Sequence, residues 1–209
     1  MLPVTGSMFI CSATPRHWVI SMEKYKQVPA ISFIARSGTG KTTLLTAVIR
    51  DLKQRGYRVG TIKHDAHHFD IDHPGKDSYR FTDAGADNML ITSSAKLALV
   101  KQYQQAPPIE ELISVYFPDV DLVLVEGFKQ QGLPKIELFR GGYSNDLICR
   151  GDRPDPALLA VATDTRIDVD VPQLDLNNPA EIVDFLLTHV ETVGLTHEHD
   201  NRIEDAGAL

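Results

Sequence analysis

The sequence predicts a three-layer α/β protein of the P-loop nucleoside triphosphate hydrolase type, a mostly parallel sheet with helices on both faces. Three observations lead there. From residue 30 on, short apolar runs alternate with stretches of helical periodicity. A glycine-rich turn, "ARSGTGKTTLL" at 35–45, joins the first apolar run to the first helical stretch. A later apolar run, "VDLVLVEGF" at 120–128, carries an acidic residue at its end.

Taken in order, "AISFIA" (30–35) is a short apolar run suited to a strand buried on both faces. A helix is expected over 41–55, where Leu45, Val48, Ile49 and Leu52 share one stripe and Gly56 offers a stop. "YRVGTIK" (57–63) follows as a second strand, and "HDAHHFDIDHPG" (64–75) as a long polar loop. Loops of that length in compact domains are usually functional or disordered. A short helix over 76–86 precedes two strands, "DNMLITS" and "KLALVKQ", separated by a tight turn. The stretch 107–117 opens with prolines and places Ile109, Leu112, Ile113 and Tyr116 on one helical face. "VDLVLVEGF", "PKIELFR" and "ALLAVATD" read as three further strands, and "PAEIVDFLLTHV" (179–190) as a closing amphipathic helix.

No repeat, low-complexity tract or break in composition divides residues 30–190, which are expected to form one nucleotide-binding domain. Residues 1–29 lack the basic start and long apolar core of a signal peptide. They are expected to be a disordered or mis-assigned extension, with Met8 and Met22 as internal starts. The tail 191–209 is expected to be flexible, with His197 and His199 solvated.

The 209 residues suffice for one well-packed domain. A net charge of −7 disfavours a broad surface for nucleic acid or for an anionic membrane, so any phosphate site must be local. No apolar run approaches the ~20 residues of a membrane-spanning helix. Cys11 and Cys149 are too few and too far apart for a disulfide framework or a thiolate metal site, which fits a reducing, cytoplasmic setting.

The glycine-rich turn departs from the usual phosphate-loop pattern at one place, Ala35, where a glycine is expected. Such loops work because successive backbone N–H groups converge on a phosphate at a helix N-terminus. Glycine is needed only where φ is positive or a Cβ would meet the anion. Ser37, Gly38, Thr39 and Gly40 keep two glycines in the tightest part of the turn, and Ala35 falls at the strand exit, where ordinary β dihedrals serve. Lys41 would then bridge the β- and γ-phosphates, the Thr42 hydroxyl would ligate Mg²⁺, and Thr43 would reach the α-phosphate. Glu126, at the C-terminal tip of its strand, is the second expected Mg²⁺ group. Asp121, at the other end of that strand, cannot share the site.

The loop 64–75 allows three readings. Asp70 or Asp72 could approach Mg²⁺ in a segment that responds to the γ-phosphate. His64 with His67 or His68 could hold a transition metal. The same side chains could simply be solvated.

The blocks "ARSGTGKTTLL", "IKHDAHH", "DIDHPGKDSYRFTDAGA", "DLVLVEGFK" and "KIELFR", in that order, resemble the molybdopterin-guanine dinucleotide biosynthesis adaptor (MobB) family. The likeness spans about 160 of the 209 residues. It implies a GTP- and Mg²⁺-binding P-loop protein that forms a homodimer and hydrolyses GTP weakly. It further implies a partner, a MobA-like molybdenum cofactor guanylyltransferase, which joins GMP to molybdopterin. Guanine preference, also implied, requires a carboxylate that accepts from N1 and N2; Asp164, after "AVAT", is a candidate for it, or else an ordinary strand-ending aspartate. Two other classes compete. A small-molecule kinase would need an acceptor site and a base near the γ-phosphate. A metallochaperone-type GTPase would need a Cys/His ligand set, and no cysteine lies near these histidines.

Overall fold

A computed structural model describes residues 28–64, 69–129, 132–143 and 146–192, the side chains of 191 and 192 excepted. Strands β1 (Ala30–Ala35), β2 (Val59–Lys63), β5 (Leu122–Glu126), β6 (Lys135–Phe139), β7 (Leu158–Thr163) and β8 (Gln173–Asp175) form one sheet, ordered β2-β5-β1-β6-β7-β8. Every neighbouring pair is parallel. All six C-terminal tips therefore lie along one edge, and the loops that leave them gather there.

Side-chain alternation along the strands builds two cores. Ile31, Phe33, Leu122, Leu124, Ile136, Leu138, Ala160 and Ala162 face α1 (Lys41–Gln54) and α4 (Pro179–Thr192). Helix α1 buries Leu44, Leu45, Val48 and Leu52, a stripe shifted by one residue from the expected one: Ile49 is only partly buried. Arg55 ties the two helices together, reaching Asp51 at 2.6 Å and Asp184 at 2.5 Å.

The opposite face is covered less regularly. Val123 and Val125 pack against Ile109 and Ile113 of α3 (Ile109–Tyr116), whose first turn carries Glu110 and Glu111 beside its positive dipole end. Over β6 and β7 the cover is irregular chain, with Cys149, Leu147, Ile148, Ile167, Val169 and Val171 around Ile34, Phe139 and Val161. Two pieces of this region escape the sequence pattern. Strand β8 has three residues, and a 3₁₀ turn spans Ile148–Arg150; both are too short to show a period.

Between β2 and α3 the chain leaves the sheet. It forms α2 (Asp77–Asp83) and the antiparallel hairpin β3 (Asn88–Thr92) with β4 (Leu97–Lys101), a separate two-stranded sheet. Here Phe81, Leu90, Ile91 and Leu97 are 61%, 55%, 54% and 65% exposed. An isolated two-stranded ribbon is marginally stable in water, and its edges offer unpaired backbone groups.

Candidate nucleotide-binding site

Ala35 is the last residue of β1 and only 3% exposed. It pairs with Leu138 of β6 and lies in the α1-side core. Its φ is not positive, so a methyl group there meets no conformational penalty. The turn that follows does need glycine: Gly38 and Gly40 have φ of 82° and 98°. Between them Thr39 is buried, its hydroxyl donating to the Arg36 carbonyl at 2.8 Å. Gly40 is the N-cap of α1, without a side-chain cap. The first-turn N–H groups of α1 thus have no acceptor from a capping side chain, as an anion site requires. Thr42 and Thr43 lie exposed in that first turn.

Lys41 and Glu126 meet across the sheet edge. Their charged atoms are 3.6 Å apart, and both side chains are 19% exposed. Register brings this about: Glu126 ends β5 and is paired with Phe33 of β1 and Lys63 of β2. Beyond Glu126 the chain turns in the left-handed region twice, at Gly127 (φ 102°) and Phe128 (φ 54°). The Ser32 hydroxyl donates to the Gly127 carbonyl at 2.5 Å, and the Phe128 ring lies 4.2 Å from that of His64. A Cβ on Gly127 would press on His64 at 3.3 Å. Phe128 is a non-glycine residue with positive φ, an arrangement that surrounding structure must hold in place.

Other expected residues are distributed as follows. Asp70 is exposed on the loop after β2. Asp72 serves its own loop: the Ser78 hydroxyl, then the His73 N–H, hold its carboxyl below the usual range. Asp65, His67 and His68 lie outside the described residues, as do Gln130 and Gln131 of the "EGFKQQG" turn. Among the described residues no three His, Cys, Asp or Glu side chains are grouped to hold a metal ion. Asp121 grips Arg58 at 2.8 Å, far along its strand from Glu126.

Asp164 directly follows β7. Its Oδ2 accepts from Arg140 Nη1 at 3.0 Å and its Oδ1 from the Gly141 N–H at 2.8 Å. A carboxylate offers about four acceptor positions, so both oxygens retain capacity. Beside it opens a polar hollow of about 420 Å³ between the tips of β7 and β8, lined by Thr163, Thr165, Arg166, Asp175 and Asn177 among others.

The segment after β6 completes the edge, and the sequence reading did not foresee it. Arg140 Nε donates to the Thr39 carbonyl at 3.3 Å, and the Tyr143 hydroxyl lies against Gly38. Buried charges in β6 anchor this segment from below. Glu137, 2% exposed, accepts from the N–H groups of Ile148 at 2.6 Å and Cys149 at 2.9 Å. Lys135, 1% exposed, holds Asp155 at 2.6 Å. Burial, then the Glu137 carboxylate, pushes the Cys149 thiol up to about 12. The sequence signal was available in "KIELFR": charged residues at alternate positions of an apolar strand are either exposed or paired in the core.

A parallel sheet with a glycine turn between its central strand and a helix, a lysine at the helix start and an acidic strand tip beside it define a P-loop α/β protein. The model of the family described as "MobB: Molybdopterin guanine dinucleotide synthesis protein B" matches residues 30–164. The chain belongs to that family. A molybdopterin-guanine dinucleotide biosynthesis adapter protein of Escherichia coli K12 is 40% identical over 172 residues, covering 77% of this chain and 92% of that protein. Its counterpart from Haemophilus influenzae is 36% identical over 161 residues, covering 77% and 88%. A crystal structure of molybdopterin-guanine biosynthesis protein B superposes with a TM-score of 0.63 at 26% identity, covering 77% of this chain and 99% of that one.

Proposed function

We propose that this chain binds GTP with Mg²⁺ at the phosphate loop and acts as an adaptor when GMP is attached to molybdopterin. The observation that carries the nucleotide reading is the meeting of Lys41 with Glu126 at 3.6 Å, at the mouth of an uncapped helix. A triphosphate seated there would meet backbone N–H groups of Gly38 to Thr43 and the Lys41 ammonium. Thr42 and Glu126 would supply oxygen donors to the cation, with Asp70 as a further donor from the loop. Asp164, at the wall of the polar hollow, would accept from guanine. The names of the relatives, molybdopterin-guanine dinucleotide biosynthesis adapter proteins, support the pathway; a MobA-like molybdenum cofactor guanylyltransferase would be the partner. The exposed hairpin supports a homodimer. Residues 30–190 would act as the nucleotide-binding unit, with 1–29 and 191–209 as appendages.

The reading is tested by supplying the full chain, GTP and Mg²⁺ to a guanylyltransferase with its molybdopterin acceptor. Product formation should rise with the added chain, and Lys41→Ala should abolish the rise. Alone, the chain should hydrolyse GTP at about 10⁻⁴ to 10⁻³ per second, the range of P-loop GTPases without a supplied catalytic group. A rate near about one per second would mark a self-sufficient enzyme instead.

A further inference from the structure

Arg140 touches two parts of the sheet edge that the nucleotide reading treats separately. It follows β6, which lies between β1 and β7, so its side chain stands between the phosphate loop and the tip of β7. One nitrogen of its fork, Nε, donates to the Thr39 carbonyl at 3.3 Å. Another, Nη1, donates to Asp164 Oδ2 at 3.0 Å, while Gly141 N–H holds the other oxygen of that carboxylate. Nη2 lies 3.7 Å from the point a Cβ on Gly40 would occupy.

We propose that Arg140 is a positioning residue, a brace through which Asp164 sets the shape of the phosphate loop. The peptide plane supplies the reason. Thr39 C=O and Gly40 N–H belong to one trans peptide and point in opposite directions. Fixing the carbonyl therefore fixes the direction of the Gly40 N–H, a donor at the start of α1. This peptide needs fixing because Gly40 at its end and Gly38 one residue before Thr39 have wide conformational freedom. Thr39 is held from the other side by its hydroxyl and its N–H, both directed at the Arg36 carbonyl at 2.8 and 3.4 Å. A planar guanidinium can serve two acceptors in fixed directions, whereas an ammonium is a point charge on a flexible stem. Asp164 thereby acts on the phosphate loop even for a ligand that has no base. The inference rests on the phosphate-binding reading above and adds a role for Asp164 beyond any contact with guanine.

Binding of Mg²⁺-tripolyphosphate, which carries no base or sugar, separates the possibilities when measured beside Mg·GTP by titration calorimetry on the full chain. Arg140→Lys, Arg140→Ala and Asp164→Ala should each weaken tripolyphosphate at least about fivefold, and the double alanine variant no further than either single, as expected of one coupled unit. Melting curves identify the folded variants. Arg140→Lys, which keeps charge and stem, decides the matter if an alanine variant fails to fold. Wild-type affinity in Arg140→Lys would reduce Arg140 to a charge and overturn the brace. So would an Asp164→Ala that loses GTP but keeps tripolyphosphate, or fully additive losses in the double variant. If the unmodified chain bound neither ligand, the nucleotide reading itself would fall, and the brace with it.

Discussion

Ala35 stands where phosphate loops usually begin with glycine, yet its methyl group is packed in the core at the end of β1. Ala35→Gly should cost about 0.5–1 kcal/mol of stability, as glycine does within a strand. Its effect on Mg·GTP affinity should stay below about tenfold. Lys41→Ala removes a charge that, in the proposed site, would face the phosphates, where a charge-assisted bond contributes about 1.5–3 kcal/mol. Calorimetry should show at least about a tenfold loss; equal affinity for the two proteins would dismiss the site. Glu126→Gln keeps the shape of the side chain and removes its charge. The Lys41–Glu126 pair is partly exposed and adds little to stability, so the melting temperature should hold. Mg²⁺-dependent GTP binding should fall. A variant that melts early, or binds Mg·GTP normally, would assign Glu126 to the scaffold.

At the scale of the element, β6 is the most unusual strand. It passes through the core while placing Lys135 and Glu137 there, each engaged with the irregular chain that follows. Burial pulls the Asp155 carboxyl upward, but the Lys135 ammonium and the Ala157 N–H outweigh it and hold the group below the usual range. A depressed carboxyl stabilises fully above its unfolded pKa of about 4, and that contribution disappears as pH falls through the lower folded value. Asp155→Asn strips the buried lysine of its carboxylate and should destabilise by about 3 kcal/mol at neutral pH. Denaturant titrations below and above pH 4 should find this difference shrinking in acid. A constant difference across the range would show that the pair contributes no charge-dependent stability. The strand itself was legible in the sequence; the burial of its charges was not. Burial depends on partners 11 to 20 residues away, brought close by a turn without periodicity.

Among the described residues the main sheet is well covered and the β3–β4 ribbon is not. Leu90, Ile91 and Leu97 stand more than half exposed on a ribbon with no third strand among the described residues. Association of two copies would cover these side chains and the open edges together, which supports the proposed dimer. Leu90→Glu combined with Leu97→Glu should raise the dimer dissociation constant by at least about a hundredfold, roughly 3 kcal/mol. Sedimentation equilibrium would show the monomer, with Mg·GTP binding retained because the ribbon lies outside the main sheet. A variant that stays dimeric would move the interface elsewhere. No helix among the described residues is long and apolar enough to cross a membrane.

The sequence by itself determined the alternation of strands and helices, the glycine-rich turn between the first strand and helix, and the acidic tip at Glu126. These are local signals, carried by period, glycine placement and adjacency in the chain. Tertiary structure alone decided what stands beside the loop. Register put Glu126 within reach of Lys41, and the order of parallel strands set β6 between β1 and β7. Arg140, 101 residues from Thr39, became its hydrogen-bond partner in that way. Asp164 illustrates the boundary. Its place after a strand could be read from the chain, but its grip on Arg140 and Gly141 and the hollow beside it follow from which strands are neighbours. Sheet order is a choice among long-range pairings, and no local pattern of side chains encodes it.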